Sequence, residues 1–305
     1  MVVGTSPRGS EPSRRTPNPS APSTGSRRAL PVRVEFVRQF RRRRTVVTLG
    51  LLVLLPLIVV AAVKFGPSAN SSGGGGGRFG SGSFDLVGLA TAGAWNFAVT
   101  MLFFATGFLL ILVTAVFLGD TVASEAQWST LRYLLAAPVS RRRLLAVKLI
   151  VGLVSTAIAI VVLIATSYLV GLVAFGSGPL QSPAGGSFDG VDALWRVAVI
   201  AGFIFVSLLF TAGIAFLMTV STDVPLGAVG TALILVIVSN ILDAIEALGD
   251  LRRWLPTDYT NAWIGALQSQ IDWSDMARGA AYSLVAFAVL VAIAVIRFDR
   301  KDILS

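Results

Sequence analysis

Leu145–Phe175 reads LAVKLIVGLVSTAIAIVVLIATSYLVGLVAF, 31 residues whose one charged side chain, Lys148, lies near the start. A bilayer hydrocarbon core about 30 Å thick is crossed by roughly 20 helical residues. The stretch is therefore long enough to cross a membrane, and it must tilt or project beyond the bilayer. Five further apolar runs lie around it: Thr45–Val63, Ala94–Leu118, Leu194–Val220, Pro225–Leu242 and Ala277–Ile296. Only Ser221–Val224 separates the fourth run from the fifth. Across the 305 residues 54% are hydrophobic and 13% charged, against about 25% charged in soluble domains. The fold class read from this pattern is an all-α polytopic membrane protein with six transmembrane helices.

Cysteine and histidine are both absent. Their absence excludes disulfide frameworks, thiolate zinc sites, His-ligated haem and every Cys/His nucleophilic mechanism. Residues 1–30 are rich in Pro, Ser, Thr, Gly and Arg and read as a disordered tail. No small-residue cleavage site follows the first apolar run, which argues against a secretory signal. Residues 31–44, PVRVEFVRQFRRRR, read as a basic interfacial helix ending in Arg41, Arg42, Arg43 and Arg44. Residues 45–296 form the six-span transmembrane domain, and 297–305 a short tail. Within the first run Pro56 is expected to kink the helix without ending it. The five-glycine run Gly73–Gly77 reads as part of a flexible loop. Asp243–Met276 carries Trp254, Trp263 and Trp273 and is expected to hold short interfacial helices.

Placing the amino terminus inside puts 19 basic residues in the inner segments and 6 in the outer ones. The positive-inside rule then sets both termini in the cytoplasm, as an even number of spans requires. The localisation expected is a cell membrane, multi-pass.

Between the second and third runs, residues 119–144 are polar yet patterned. Trp128, Leu131, Leu134 and Leu135 fall at i, i+3, i+6 and i+7, one apolar stripe of a helix, with Glu125, Gln127 and Arg132 away from it. That helix ends before Pro138, and Ser140 is a suitable N-cap for the third span. Arg141, Arg142 and Arg143 then sit at headgroup level, and Lys148 snorkels to the same interface. The stripe suits two uses, lying on lipid or docking in a groove of a soluble partner.

The run from Glu125 through Ser129-Thr-Leu-Arg-Tyr-Leu-Leu-Ala-Ala-Pro-Val-Ser-Arg141 to Lys148 resembles the signature of ABC transporter permeases of the type-2 export (ABC-2) family. There a Glu precedes Gly-Thr-Leu, a leucine-rich turn, Pro-Val-Ser-Arg and a Lys. The arginine-rich helix before the first span and Arg297-Phe-Asp-Arg-Lys-Asp-Ile after the sixth are similar to the family's ends. Trp128-Ser129 replaces the usual small residues. The resemblance covers about Pro31 to Ile303, and only 119–148 is specific.

What the resemblance implies is a permease subunit of an ATP-driven exporter, with the amphipathic segment acting as a coupling helix against a cytoplasmic ABC ATPase. Glu125 and Arg132 would make polar contacts with the ATPase, and Trp128, Leu131 and Leu135 the apolar anchor. Arg141 and Lys148 would hold the start of the third span at the lipid interface. The chain contains no G-x-x-x-x-G-K-[ST] phosphate loop, so ATP and Mg belong to a separate partner chain. This chain is expected to be non-catalytic and to bind no cofactor or metal of its own. Partners implied are two ATPase subunits, a second permease protomer (identical or homologous) and membrane lipids; no nucleic acid is expected.

Asp243 and Glu246, at i and i+3 near the outer end of the fifth span, are read as pointing into water, and Asn96 and Asn240 as making helix–helix hydrogen bonds. The alternative reading is an ion- or proton-coupled secondary transporter, which calls for charged residues near the midplane and inverted repeats; neither is seen.

Overall fold

The computed structural model describes residues 32–65, 86–127, 141–182 and 185–300. Expectations for the amino-terminal tail, the glycine run, the last five residues, and Trp128, Leu131, Arg132, Leu134 and Leu135 lie outside these.

Six helices are long and apolar enough to cross a membrane, with mean hydropathy between 2.1 and 3.0 over their best windows. The chain is an all-α polytopic membrane protein. The first span is Arg43–Phe65, unbroken through Pro56. The second is Ala94–Phe104, a π-helical turn Ala105–Leu109, and Leu110–Gly119. The third is Arg141–Phe175, the fourth Gly190–Ser221, the fifth Pro225–Ala244 and the sixth Ser274–Arg300. At 1.5 Å per residue the third span is about 52 Å long, so it projects well past a hydrocarbon core. Its first turn begins at Arg141, four residues before the apolar run.

Burial separates central from peripheral helices. The second and fourth spans have 61% and 56% of their windows buried, against 17% for the first and sixth. The second packs on the third, fourth and fifth spans, the sixth packs mainly on the fourth, and the first leans on the third. Lipid is as apolar as leucine, so helices in a membrane associate through close packing rather than hydrophobic burial. The second and third spans show this: a Cβ on Gly152 would lie 2.8 Å from Leu118, and one on Gly171 would lie 2.9 Å from Phe97. Only glycine lets the two backbones approach this closely.

Most hydroxyls inside the bundle bond within their own helix. Thr100, Thr106, Thr114, Ser155 and Thr156 all donate to the carbonyl four residues earlier. They satisfy themselves and leave the interhelical contacts apolar.

The alternating directions bring the starts of the first, third and fifth spans to the same end of the bundle as the ends of the second, fourth and sixth. A short helix, Val32–Phe40, precedes the first span there. This is the terminal end. At the far end a two-residue hairpin pairs β1 (Leu180–Gln181) with β2 (Ser187–Phe188). Two 3₁₀ segments, Glu246–Trp254 and Ala262–Leu267, also lie there.

Candidate functional site

The second span ends at Gly119, and a five-residue helix, Ala123–Gln127, follows a single turn. Gln127 is the last described residue before the segment that carries the apolar stripe. The start of that short helix is capped from outside. Thr219 of the fourth span, 1% exposed, accepts from the amides of Val122 (3.2 Å) and Ala123 (3.0 Å) through its Oγ1. Both amides belong to the first turn, where no intrahelical acceptor exists.

Around this turn the terminal end is built from charge. Lys148 is 3% exposed, and its ammonium, with three protons to place, has three oxygens around it. Glu125 Oε1 lies at 2.7 Å, the Thr121 carbonyl at 2.9 Å and Glu35 Oε1 at 3.2 Å. Glu125, 2% exposed, also receives Arg38 at 3.2 Å. Beside this group Asp120 accepts from Arg42 at 2.9 Å and from Arg44 at 2.6 Å, and Arg42 also reaches the Ser124 hydroxyl at 3.2 Å. Gln39 donates to the Phe117 carbonyl at 3.3 Å. Cations and an amide thus cover the carbonyl end of the second span, where the helix dipole is negative.

The network joins four segments: Val32–Phe40, the start of the first span, the turn after the second, and the start of the third. It frames an open cleft of about 550 Å³, lined by Arg38, Arg43, Ser124 and Gln127 among others. Taking a Lys–Glu pair out of water costs several kcal/mol per ion, and only good geometry with further hydrogen bonds repays it. Lys148 belongs to the third span and Glu125 to the short helix Ala123–Gln127, so this contact joins the described residues on either side of positions 128–140.

The placements differ from the sequence reading in informative ways. Lys148 sits inside the bundle end instead of snorkelling to lipid, because three oxygens surround it there. The Glu125 carboxylate is turned inward to Lys148 and Arg38, away from the solvent side. The arginine run divides: Arg42 and Arg44 pair with Asp120, while Arg41 and Arg43 are exposed. Arg143 is exposed, Arg142 pairs with Asp299 at 2.9 Å, and Arg141 begins the third helix. Glu35 and Asp120 were not singled out from sequence. Their only sequence signal was an acid set within a strongly basic stretch and an acid directly after a long apolar run.

At the far end, Asn96 bonds a loop instead of a neighbouring helix. Its amide donates to the Pro179 carbonyl at 2.8 Å and its oxygen accepts from the Gln181 amide at 2.9 Å. Arg196 is buried, donates to the carbonyls of Gln268 (2.7 Å) and Ser269 (3.1 Å), and stacks on Phe188 at 3.5 Å. Glu246 is exposed, and Asp243 lies 3.8 Å from Arg252. Trp263 is buried against Phe103, and Trp273 is exposed. Burial pushes the Tyr259 phenol up from its ordinary value, helped by the Asp258 carboxylate beside it. Among the described residues no group of Asp and Glu is placed to hold a metal ion.

Residues 57–304 match the model of a family described as a protein of unknown function, DUF2705. The chain belongs to this family. The match runs from within the first span to the carboxy-terminal tail, so the DUF2705 model spans the turn, the stripe-bearing segment and Lys148, but not Glu35 or Arg38. No curated protein and no solved structure matches the chain.

Proposed function

We propose that this protein is the membrane subunit of an ATP-driven exporter, coupled to a separate cytoplasmic ATPase through segment 128–140. The observation that carries the reading is the anchoring of that segment. The helix before it, Ala123–Gln127, is capped by the fourth span and ion-paired to the third, and the first residue after it, Arg141, opens the third span. A load on its apolar stripe would pass directly into two spans rather than dissipate in a loop. The resemblance of 125–148 to type-2 ABC permeases, the absence of a phosphate loop in the sequence, and the six-span bundle support the same reading.

In this account the terminal end faces the cytoplasm, in keeping with the excess of basic residues there. Trp128, Leu131, Leu134 and Leu135 dock in an ATPase groove, and Arg132 serves the polar rim. Glu125 acts one step behind the contact, fixing the angle of the short helix through Lys148 and Arg38. A second permease protomer, identical or homologous, completes the pathway, since alternating access needs two bodies that move against each other. A charge placed in the apolar stripe tests this directly. Leu131→Glu is expected to abolish ATPase association in detergent extracts while membrane insertion and expression stay at wild-type levels. Unchanged association would place the contact elsewhere.

A further inference from the structure

At the terminal end, sharing no lining residue with the cleft beside the Lys148 network, the last turns of the fourth and sixth spans leave a cleft of about 510 Å³. Its walls are Val220 and Ser221 on one helix and Ile293, Ile296, Arg297 and Arg300 on the other. Arg297 and Arg300 are three residues apart and so share a face of the helix. Ile293 and Ile296 lie on the membrane side of them, 44% and 52% exposed. The one acid within this turn, Asp299, is turned to Arg142 of the third span at 2.9 Å. Among the described residues, no carboxylate lies within ion-pair distance of Arg297 or Arg300.

We infer that this cleft is a binding site for one anionic phospholipid, with its phosphate held by Arg297 and Arg300 and an acyl chain laid over Ile293 and Ile296. Two guanidiniums with no carboxylate among the described residues within ion-pair distance match a phosphate, which they bind through parallel charge-assisted hydrogen bonds. The order along the sixth span, cations at the bundle end and exposed branched aliphatics immediately inside it, matches the order of a phospholipid from headgroup to chain. A soluble anion would leave the isoleucine wall unused. A zwitterionic lipid would bring its own cation against two arginines. The site joins the fourth and sixth spans, which pack against each other along the bundle, so a bound lipid would brace them. The inference rests on the membrane location alone and is independent of the transport proposal.

The test is native mass spectrometry of the full chain in detergent, titrated with phosphatidylglycerol or with phosphatidylcholine of the same chain length. The wild-type chain is expected to retain one phosphatidylglycerol, and to bind phosphatidylcholine about tenfold more weakly. The Arg297→Ala/Arg300→Ala double variant should lose about tenfold in phosphatidylglycerol affinity. Ile293→Trp, which fills the cleft without changing charge, should lose a comparable factor and guards against a double variant that fails to fold. Arg143→Ala removes a cation from the same end of the bundle outside the cleft and should leave the affinity unchanged. Equal loss in Arg143→Ala would mean general surface attraction and would overturn the site, as would equal binding of the two lipids. Displacement by glycerol phosphate would reassign the cleft to a free phosphate.

Discussion

Lys148 carries more of the terminal end than any other side chain, because it answers two carboxylates and a carbonyl from three different segments. Replacing it with methionine leaves Glu35 and Glu125 buried against each other with no ammonium. Removal of one partner from a buried pair costs about 3–5 kcal/mol, so Lys148→Met is expected to lower thermal stability in detergent sharply. Adding Glu125→Gln to the same chain should recover part of the loss, a coupling that a double-mutant cycle reads out. Additive losses would mean that the pair is not coupled. At the opposite end Asp272 sits two residues before Ser274, whose hydroxyl and amide donate to its carboxylate at 2.7 and 2.9 Å. Those bonds hold its carboxyl below the usual range. Its contribution is therefore full above the unfolded value and fades as pH falls toward the folded one. Asp272→Asn should flatten the loss of stability of the wild-type chain between about pH 5 and pH 3; an unchanged acid profile would remove Asp272 from it. At this scale the sequence marked Glu125 and Lys148 but not their pairing. Pairing depends on how the helices cross, and residues 23 positions apart show no periodicity that reports it.

Helices were the most legible part of the chain. Each of the six long helices contains an apolar run evident from composition, since a bilayer accepts little else. Helix ends were less legible, because polar residues such as Arg141 to Arg143 continue the third helix past the apolar run into the interface. The π turn at Ala105–Leu109 left no trace at all: Ala-Thr-Gly-Phe-Leu is as apolar as its surroundings. A π turn arises from one extra residue in an α-helix, and this one falls near the middle of the second span, with Gly107 and Phe108 on the exposed side. Deleting Gly107 is expected to restore a continuous α-helix without changing which faces of the second span meet the third and fourth. Thermal stability should be equal or higher. A collapse of stability would show that the turn sets the register of the whole helix.

As a whole molecule the protein has a central pair of spans, a charged terminal end and a far end closed by short loop elements. The far end is organised by two side chains, Asn96 and Arg196, that hold backbone of the hairpin and of the Gln268–Ser269 turn. Neither was legible as a loop organiser, since a lone Asn or Arg at a span boundary has many uses. The terminal end, by contrast, announced itself through its excess of arginine and its patterned segment. What the excess could not reveal is that much of that charge is internally matched: four cations meet three carboxylates in one network. The most direct measurement of the central claim is mild-detergent affinity purification of the full chain from its native host, with identification of the soluble proteins that accompany it. A stoichiometric ATPase bearing a G-x-x-x-x-G-K-[ST] loop is expected. A clean chain with no ATPase, from membranes in which assemblies survive extraction, would contradict it.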